Sequence, residues 1–164
     1  MEIINTVPTF DATTHRMAST YTDTPDPERN RIVRVWAVEP IPLTEVKVAR
    51  KAAATAKRHE VETGGIIVAG ASIRTDRESQ SLINGAYSLA RDMLAGDVQT
   101  MPIDFKGADG WAEIEPATML AIGRAVALHV QACFRAERAL HEAIDAAETA
   151  EAVMAVDIAS GWPD

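Results

Sequence analysis

The residues of this chain that could do metal or nucleophile chemistry are its four histidines, its one cysteine and several acids. His141 and Glu142 begin a helical zinc-protease pattern, but the position of the second histidine holds Asp145. His129 lies twelve residues from His141, more than three helical turns away, so the two cannot share a metal. We therefore expect no metal site and interpret His129 as a core or interface histidine. Cys133 is expected to be a small buried hydrophobe.

No other group of residues forms a catalytic pattern. Four serines between residues 72 and 88 lack the glycine-flanked nucleophile turn, and no glycine-rich loop fits a phosphate cradle. Asp23, Asp26 and Glu28 could contact calcium, but the intervening prolines disrupt the usual calcium loop. Because no acid–base pair can be defended, the sequence predicts a protein that binds, not an enzyme, with no cofactor.

Composition narrows the class of partner. The 164 residues carry a formal net charge of −8, which argues against nucleic acid or an anionic membrane. No apolar run approaches the ~18 residues that a membrane span needs, and the N-terminus lacks the basic start of a signal peptide. We expect the protein to be made and kept in the cytoplasm, or to end in an assembly built there.

One long helix, predicted from Pro116 to about residue 148, supplies the main apolar surface. Its stripe recurs at helical spacing: Met119, Ile122, Val126, Val130, Cys133, Leu140 and Ile144. Gly123 interrupts the helix at a cost of ~1 kcal/mol relative to alanine, which suggests a close backbone neighbour.

Shorter elements surround this helix. A helix over 45–62 is predicted with Thr44 as its N-cap, and a helix over 77–95 with Thr75 and Glu78 as a capping box. Residues 66–74 and 101–115 are predicted to form β-hairpins, the second turning through 106–110. Thr149 should cap a short helix through 155, and Trp162 should dock.

The first 42 residues form a different kind of segment. Strands are predicted over 1–7 and 31–38, and residues 22–28 are predicted to be a loop because they hold two prolines. Pro40-Ile41-Pro42 predicts a stiff hinge. The fold class is therefore α+β: a small helical bundle around the long helix with two β-hairpins, preceded by a β-rich N-terminal arm. The predicted domains are the arm, 1–42, and the body, 43–164.

The helix over 45–62 carries a basic face, made of Lys47, Arg50, Lys51, Lys57 and Arg58. This face is either a nucleic-acid patch or a surface that is solvated or complements C-terminal acids. We favour the second interpretation because no aromatic platform accompanies the charges. The acids in question are Glu137, Glu142, Asp145, Glu148 and Glu151.

Residues from about 49 to 163 resemble a domain of unknown function that is common in tailed bacteriophages and prophages. The most specific parts are the run from Asp76 to Ala86 and the terminal Gly161-Trp162-Pro163. The resemblance extends weakly to Trp36-Ala37-Val38-Glu39-Pro40. It supplies no catalytic residues, and it implies a role in the virion or its assembly.

Two functions follow as expectations from that resemblance. The first is a structural protein of the phage tail, associated with fibre or baseplate, that docks onto a neighbouring tail subunit and resides in the virion tail. The second is a tail-fibre assembly chaperone that binds fibre protein transiently. Either function is compatible with a homo-oligomer. The predicted contact residues lie in the arm, since aromatics and arginine dominate interface energetics: Phe10, Tyr21, Ile32, Arg34 and Trp36.

Overall fold

The computed structural model of the protein describes residues 1–107 and 110–163. The fold is mixed α+β with one long helix, small sheets and N-terminal strands, which confirms the predicted fold class. Its elements in chain order are β1 Glu2–Thr6, β2 His15–Asp26, β3 Arg31–Pro40, α1 Leu43–Thr63, β4 Ile66–Val68, β5 Ala71–Ile73, α2 Arg77–Ala95, β6 Ile103–Gly107, β7 Gly110–Ile114, α3 Pro116–Ala146 and α4 Ala150–Ala155.

The chain divides into two compact units, each formed by two segments. The first unit comprises Met1–Ala52 and Glu142–Asp157, and the second comprises Ala53–His141 and Ile158–Asp164. The sequence-predicted boundary between residues 42 and 43 stays a prediction.

In the first unit, strands β1, β2 and β3 form a sheet in the order β1-β3-β2, with β1 parallel and β2 antiparallel to β3. The predicted loop over residues 22–28 is wrong, because β2 continues through Pro25 to Asp26. Proline is tolerated there because β2 is an edge strand and needs no ladder hydrogen bond on its outer side. Only Pro27–Arg29 turns, as a single 3-10 turn, before β3.

Helical residues of the first unit form their own apolar cluster. Val46, Ile144 and Val153 are buried together, with Ile41 and Met154 among the partly buried residues packed against them. Around this cluster, Lys51 forms an ion pair with Asp145 at 2.5 Å, and Lys47 donates to the backbone oxygen of the same residue. These contacts confirm that part of the basic face of α1 complements C-terminal acids.

In the second unit, α2, α3 and two hairpins enclose two apolar clusters. One cluster is centred on Ala90, Met93, Ile103 and Met119, and the other on Ile83, Ile122 and Val126. Helix α3 contributes to both, as its apolar stripe predicts. By length and composition α3 could also cross a membrane, but a core helix passes the same test.

Both predicted hairpins are present. In the first, β4 pairs with β5, and the turn residues Ala69 and Gly70 have φ of 50° and 85°. In the second, β6 pairs with β7, whereas residues 108 and 109 of its predicted turn lie outside the described part of the chain.

Two predicted helix caps are wrong. Asp76, not Thr75, is the N-cap of α2, and its Oδ1 accepts from the Ser79 backbone N–H at 2.9 Å. Thr75 is fully buried, and its hydroxyl oxygen accepts instead from the Gly65 N–H at 2.9 Å. Thr44 lies inside α1, which begins one residue earlier at Leu43. The predicted cap Thr149 is confirmed, since its Oγ1 accepts from Ala152 N–H at 3.1 Å.

A charged network is buried in the second unit. Glu62 is fully buried, forms an ion pair with Arg58 and accepts from Arg77 and Gln80, whose nitrogens lie 3.1 and 3.3 Å from Oε1. Arg58 Nε also lies 2.9 Å from Glu137 Oε2. Arg58 is therefore buried, which corrects its predicted place on an outer basic face, although its pairing with Glu137 agrees with the predicted complementary acids.

Candidate docking site on the N-terminal sheet

Side chains alternate across the N-terminal sheet, so the strand register assigns each residue to one of two faces. The Trp36 face contains two rows of three residues and two further pairs across the strands. They are the rows Ile3–Ile32–Pro25 and Asn5–Arg34–Asp23 and the pairs Trp36–Tyr21 and Val38–Met17, which join β3 and β2 only. Residues 18–20 of β2 form a bulge between the last two pairs.

Arg34 is the centre of the Trp36 face. Its Nε and Nη2 each donate to a carboxylate oxygen of Asp23 at 2.9 Å, a two-pronged arrangement that fixes the guanidinium plane. The guanidinium carbon lies 3.7 Å from the centre of the Tyr21 ring, which adds a cation–π contact. The hydrogen bonds from Arg34 lower the pKa of Asp23, and those to Asp23 raise the pKa of Arg34. The pair is thus charged throughout the neutral range.

The aromatic residues complete this arrangement. Tyr21 and Trp36 meet edge to face with ring centres 5.0 Å apart, and Trp36 Nε1 donates to Asn5 Oδ1 at 3.1 Å. All three strands therefore contribute to one network of side chains, with β3 in the middle. A surface fixed in this way loses little side-chain entropy when a partner covers it.

The Trp36 face is open to solvent. Ile3, Met17 and Tyr21 remain 47, 50 and 46 % exposed. Within residues 1–107 and 110–163, no residue of β1, β2 or β3 belongs to any of the three buried apolar clusters. The face thus presents apolar and aromatic surface without belonging to a core, which is the combination expected of an interaction surface.

Four of the five predicted contact residues come together here: Tyr21, Ile32, Arg34 and Trp36. Phe10 does not join their rows, because it lies in the segment 7–14 that connects β1 to β2, where it is half-buried. Sequence reasoning missed Met17, Asn5 and Asp23. The alternation of β3 indicated its own face, but only the register reveals which residues of β1 and β2 lie beside it.

The predicted chemistry of the remaining reactive residues can be compared with their surroundings. His129 is buried, and its Nε2 lies 3.2 Å from the Val61 carbonyl oxygen. Cys133 is fully buried, and desolvation by burial raises its pKa, as for an inert thiol. In the described part of the chain, no three histidine, cysteine or acidic residues are grouped to hold a metal. Asp23, weighed as a calcium ligand, is bound by Arg34.

The second unit has a cavity of about 530 Å³ that sequence reasoning did not anticipate. Its floor includes Ile83, Met119 and Ile122, and its mouth includes Leu82 and Trp111, which are 57 and 77 % exposed. Such a size is in the range of small-ligand pockets. Its lining is mainly apolar and also includes the charged residues Arg74, Asp76, Glu78 and Lys106.

A protein-family model described as a domain of unknown function (DUF4376) matches residues 45–160. The match covers more than half of the chain and begins after the N-terminal sheet. Nothing matches among curated proteins or among solved structures.

Proposed function

This chain belongs to the DUF4376 family, and we propose that it is a bacteriophage tail protein, associated with fibre or baseplate, that docks onto a neighbouring tail subunit through its Trp36 face. The phage setting rests on the sequence resemblance of residues 49–163 and, weakly, of 36–40. The docking role rests on geometry. The observation that carries it is the convergence of Tyr21, Ile32, Arg34 and Trp36 on one solvent-open face of the sheet.

The chemistry of the Trp36 face suits a protein partner. Interfaces are enriched in tyrosine, tryptophan and arginine, and such residues carry much of the binding energy when they are desolvated together. The charge of Arg34 is already neutralised by Asp23, so covering the face does not bury an unpaired cation. The partner surface should therefore be apolar and aromatic at its centre, with hydrogen-bonding groups at its edge.

The sheet lies before the residues that the family model matches. This arrangement supports a division of roles in which residues 2–40 bind the neighbouring subunit and the family domain forms the body of the protein. It predicts that the identity of the partner depends on the sheet.

Quantitative mass spectrometry of purified phage particles tests the proposal. We expect the chain in a fixed ratio to an established tail protein after the particles are washed at high salt. Absence of the chain from particles, together with loss of fibres when its gene is deleted, would overturn the structural role and favour the fibre-assembly chaperone. Absence without any defect in the fibres would overturn both functions.

A further inference from the structure

The opposite side of the same sheet has a different character. We call it the Val35 face, and its centre consists of two complete rows of three residues: Ile4–Val33–Thr24 and Thr6–Val35–Thr22. All six side chains are β-branched, and none is charged. Thr6, Thr22 and Thr24 are exposed, while Ile4, Val33 and Val35 are half-buried.

Charged residues occur only at the two ends of these rows. At one end stand Glu2, Arg31 and Asp26, with Arg31 Nε 2.8 Å from Asp26 Oδ2. At the other end stand Glu39 and Arg16, whose Nε lies 2.9 Å from Glu39 Oε1. Both arginines are thus paired with acids of their own sheet, and the two rows between these charged ends carry no charge.

We infer that the Val35 face is a self-association surface, on which a second copy of this chain stacks its own Val35 face. The argument is electrostatic. Each copy carries a net charge of −8, so two copies repel each other overall, and a contact that also buried unpaired charges would add to this cost. The uncharged centre of the Val35 face avoids that added cost when two identical copies stack on it.

Geometry supports the same occupant. Sheets pack face to face at about 10 Å, with β-branched side chains from the two inner faces interdigitating. An isologous contact needs a surface that is complementary to itself, and rows of isoleucine, valine and threonine meet that need without a matching charge pattern. The Trp36 face is less suited to contact with a second copy, since two copies would bring their Arg34–Asp23 pairs together at its centre.

A matched pair of double variants tests the inference. Thr22→Lys/Thr24→Lys places two cations on the Val35 face, where they would oppose those of the second copy. Ser19→Lys/Thr20→Lys adds the same two charges to exposed positions in the bulge of the same strand. Both variants make the chain less negative, so any loss of association cannot be attributed to stronger overall repulsion.

Sedimentation of the full chain over a range of concentrations is the measurement. We expect the natural chain to be a dimer or a higher oligomer. The Val35-face variant should dissociate with a Kd raised at least about tenfold, because it buries like charges without partners. The bulge variant should sediment as the natural chain does, and circular dichroism should show the same folded spectrum for both variants.

Two results would overturn the inference: a natural chain that is monomeric at every concentration, or a Val35-face variant that associates as tightly as the natural chain. Neither result bears on the Trp36 face. If the Val35-face variant alone loses the folded spectrum, Thr24→Lys replaces it, with Thr20→Lys as its control and the same expected dissociation.

Discussion

Gly123 of α3 lies directly against the ring of Tyr87 of α2. A Cβ built on Gly123 would lie 2.5 Å from Cδ2 of Tyr87 and 2.9 Å from its Cβ, distances that real Cβ atoms do not reach. The sequence predicted a close backbone neighbour at this glycine, and the neighbour is a side chain instead. The glycine thus makes room for an aromatic ring between two helices.

Gly123→Ala is therefore expected to destabilise the protein although alanine favours helix. Overpacking costs about 1–3 kcal/mol, and a contact as short as 2.5 Å places this site above the lower end of that range, so the cost exceeds the ~1 kcal/mol gained in helix propensity. Gly85→Ala is the matched control, because Gly85 also lies inside a helix but has no atom within 4 Å of the position that an added Cβ would take. Gly85→Ala should stabilise by about 0.5–1 kcal/mol. Urea unfolding of both variants measures the difference.

The clash itself can be verified by removing its other partner. In the Tyr87→Ala background, Gly123→Ala should lose most of its penalty, since the ring atoms that it would strike are gone. An unchanged penalty in that background would show that the cost of Gly123→Ala comes from somewhere other than Tyr87.

The buried carboxylate of Glu62 should be essential to the second unit. Glu62→Gln removes one negative charge that faces buried Arg58, whereas Glu137 remains beside that arginine, so the loss should approach but not exceed the cost of about 3–5 kcal/mol for leaving a buried charge unpaired. Glu60→Gln is the control, because Glu60 pairs with Lys57 at the surface and such pairs contribute about 0–1 kcal/mol. Thermal unfolding compares the two, and equal melting temperatures would contradict the assigned role of Glu62.

The N-cap of α2 predicts an acid-sensitive contribution to stability. Hydrogen bonds from the Ser79 N–H and hydroxyl lower the pKa of Asp76 in the folded chain. The contribution is therefore fully present above the unfolded pKa of about 3.9 and is lost as the pH falls through the lower folded pKa.

Comparison of the natural chain with Asp76→Asn between neutral and acidic pH measures this contribution. Asparagine still accepts from the backbone but does not titrate. The difference in melting temperature between the two chains should narrow as the pH falls below about 4. A difference that is constant over this range would show that the charge of Asp76 contributes nothing.

The docking role predicts a specific effect of Trp36. Trp36→Ala should reduce incorporation of the chain into particles by more than about tenfold, as expected of an interface anchor worth ~2 kcal/mol. Trp36→Phe keeps a ring against Tyr21 but loses the donor to Asn5, so an intermediate effect is expected. Trp111→Ala, on an exposed residue of the second unit, serves as the control.

The melting temperature decides how a Trp36 result is interpreted. If Trp36→Ala lowers the melting temperature clearly as well as reducing incorporation, the loss of incorporation follows from unfolding. Trp36 is then a packing residue of its own sheet and not a contact for a partner. Trp111→Ala should leave incorporation unchanged; a loss equal to that of Trp36→Ala would point to the second unit as the docking surface.

The sequence by itself determined the elements whose cause is local. Helix α2 has the predicted bounds, and Gly96 ends it in a left-handed conformation, because apolar periodicity and a C-terminal glycine act within a few residues. Helix α3 begins at the predicted Pro116 for the same reason. The alternation of Ile32, Arg34 and Trp36 along β3 likewise required only the period of a strand.

Tertiary structure alone decided which distant residues meet. Asn5 and Tyr21 reach Trp36 through strand pairing between segments that no local pattern links. Thr75 has an ideal sequence for a cap, but burial beside Gly65 gives its hydroxyl another donor, and Asp76 takes its place. Pro25 stays within β2 because its strand is at an edge. Each outcome depends on neighbours brought near by folding, which the chain order does not encode locally.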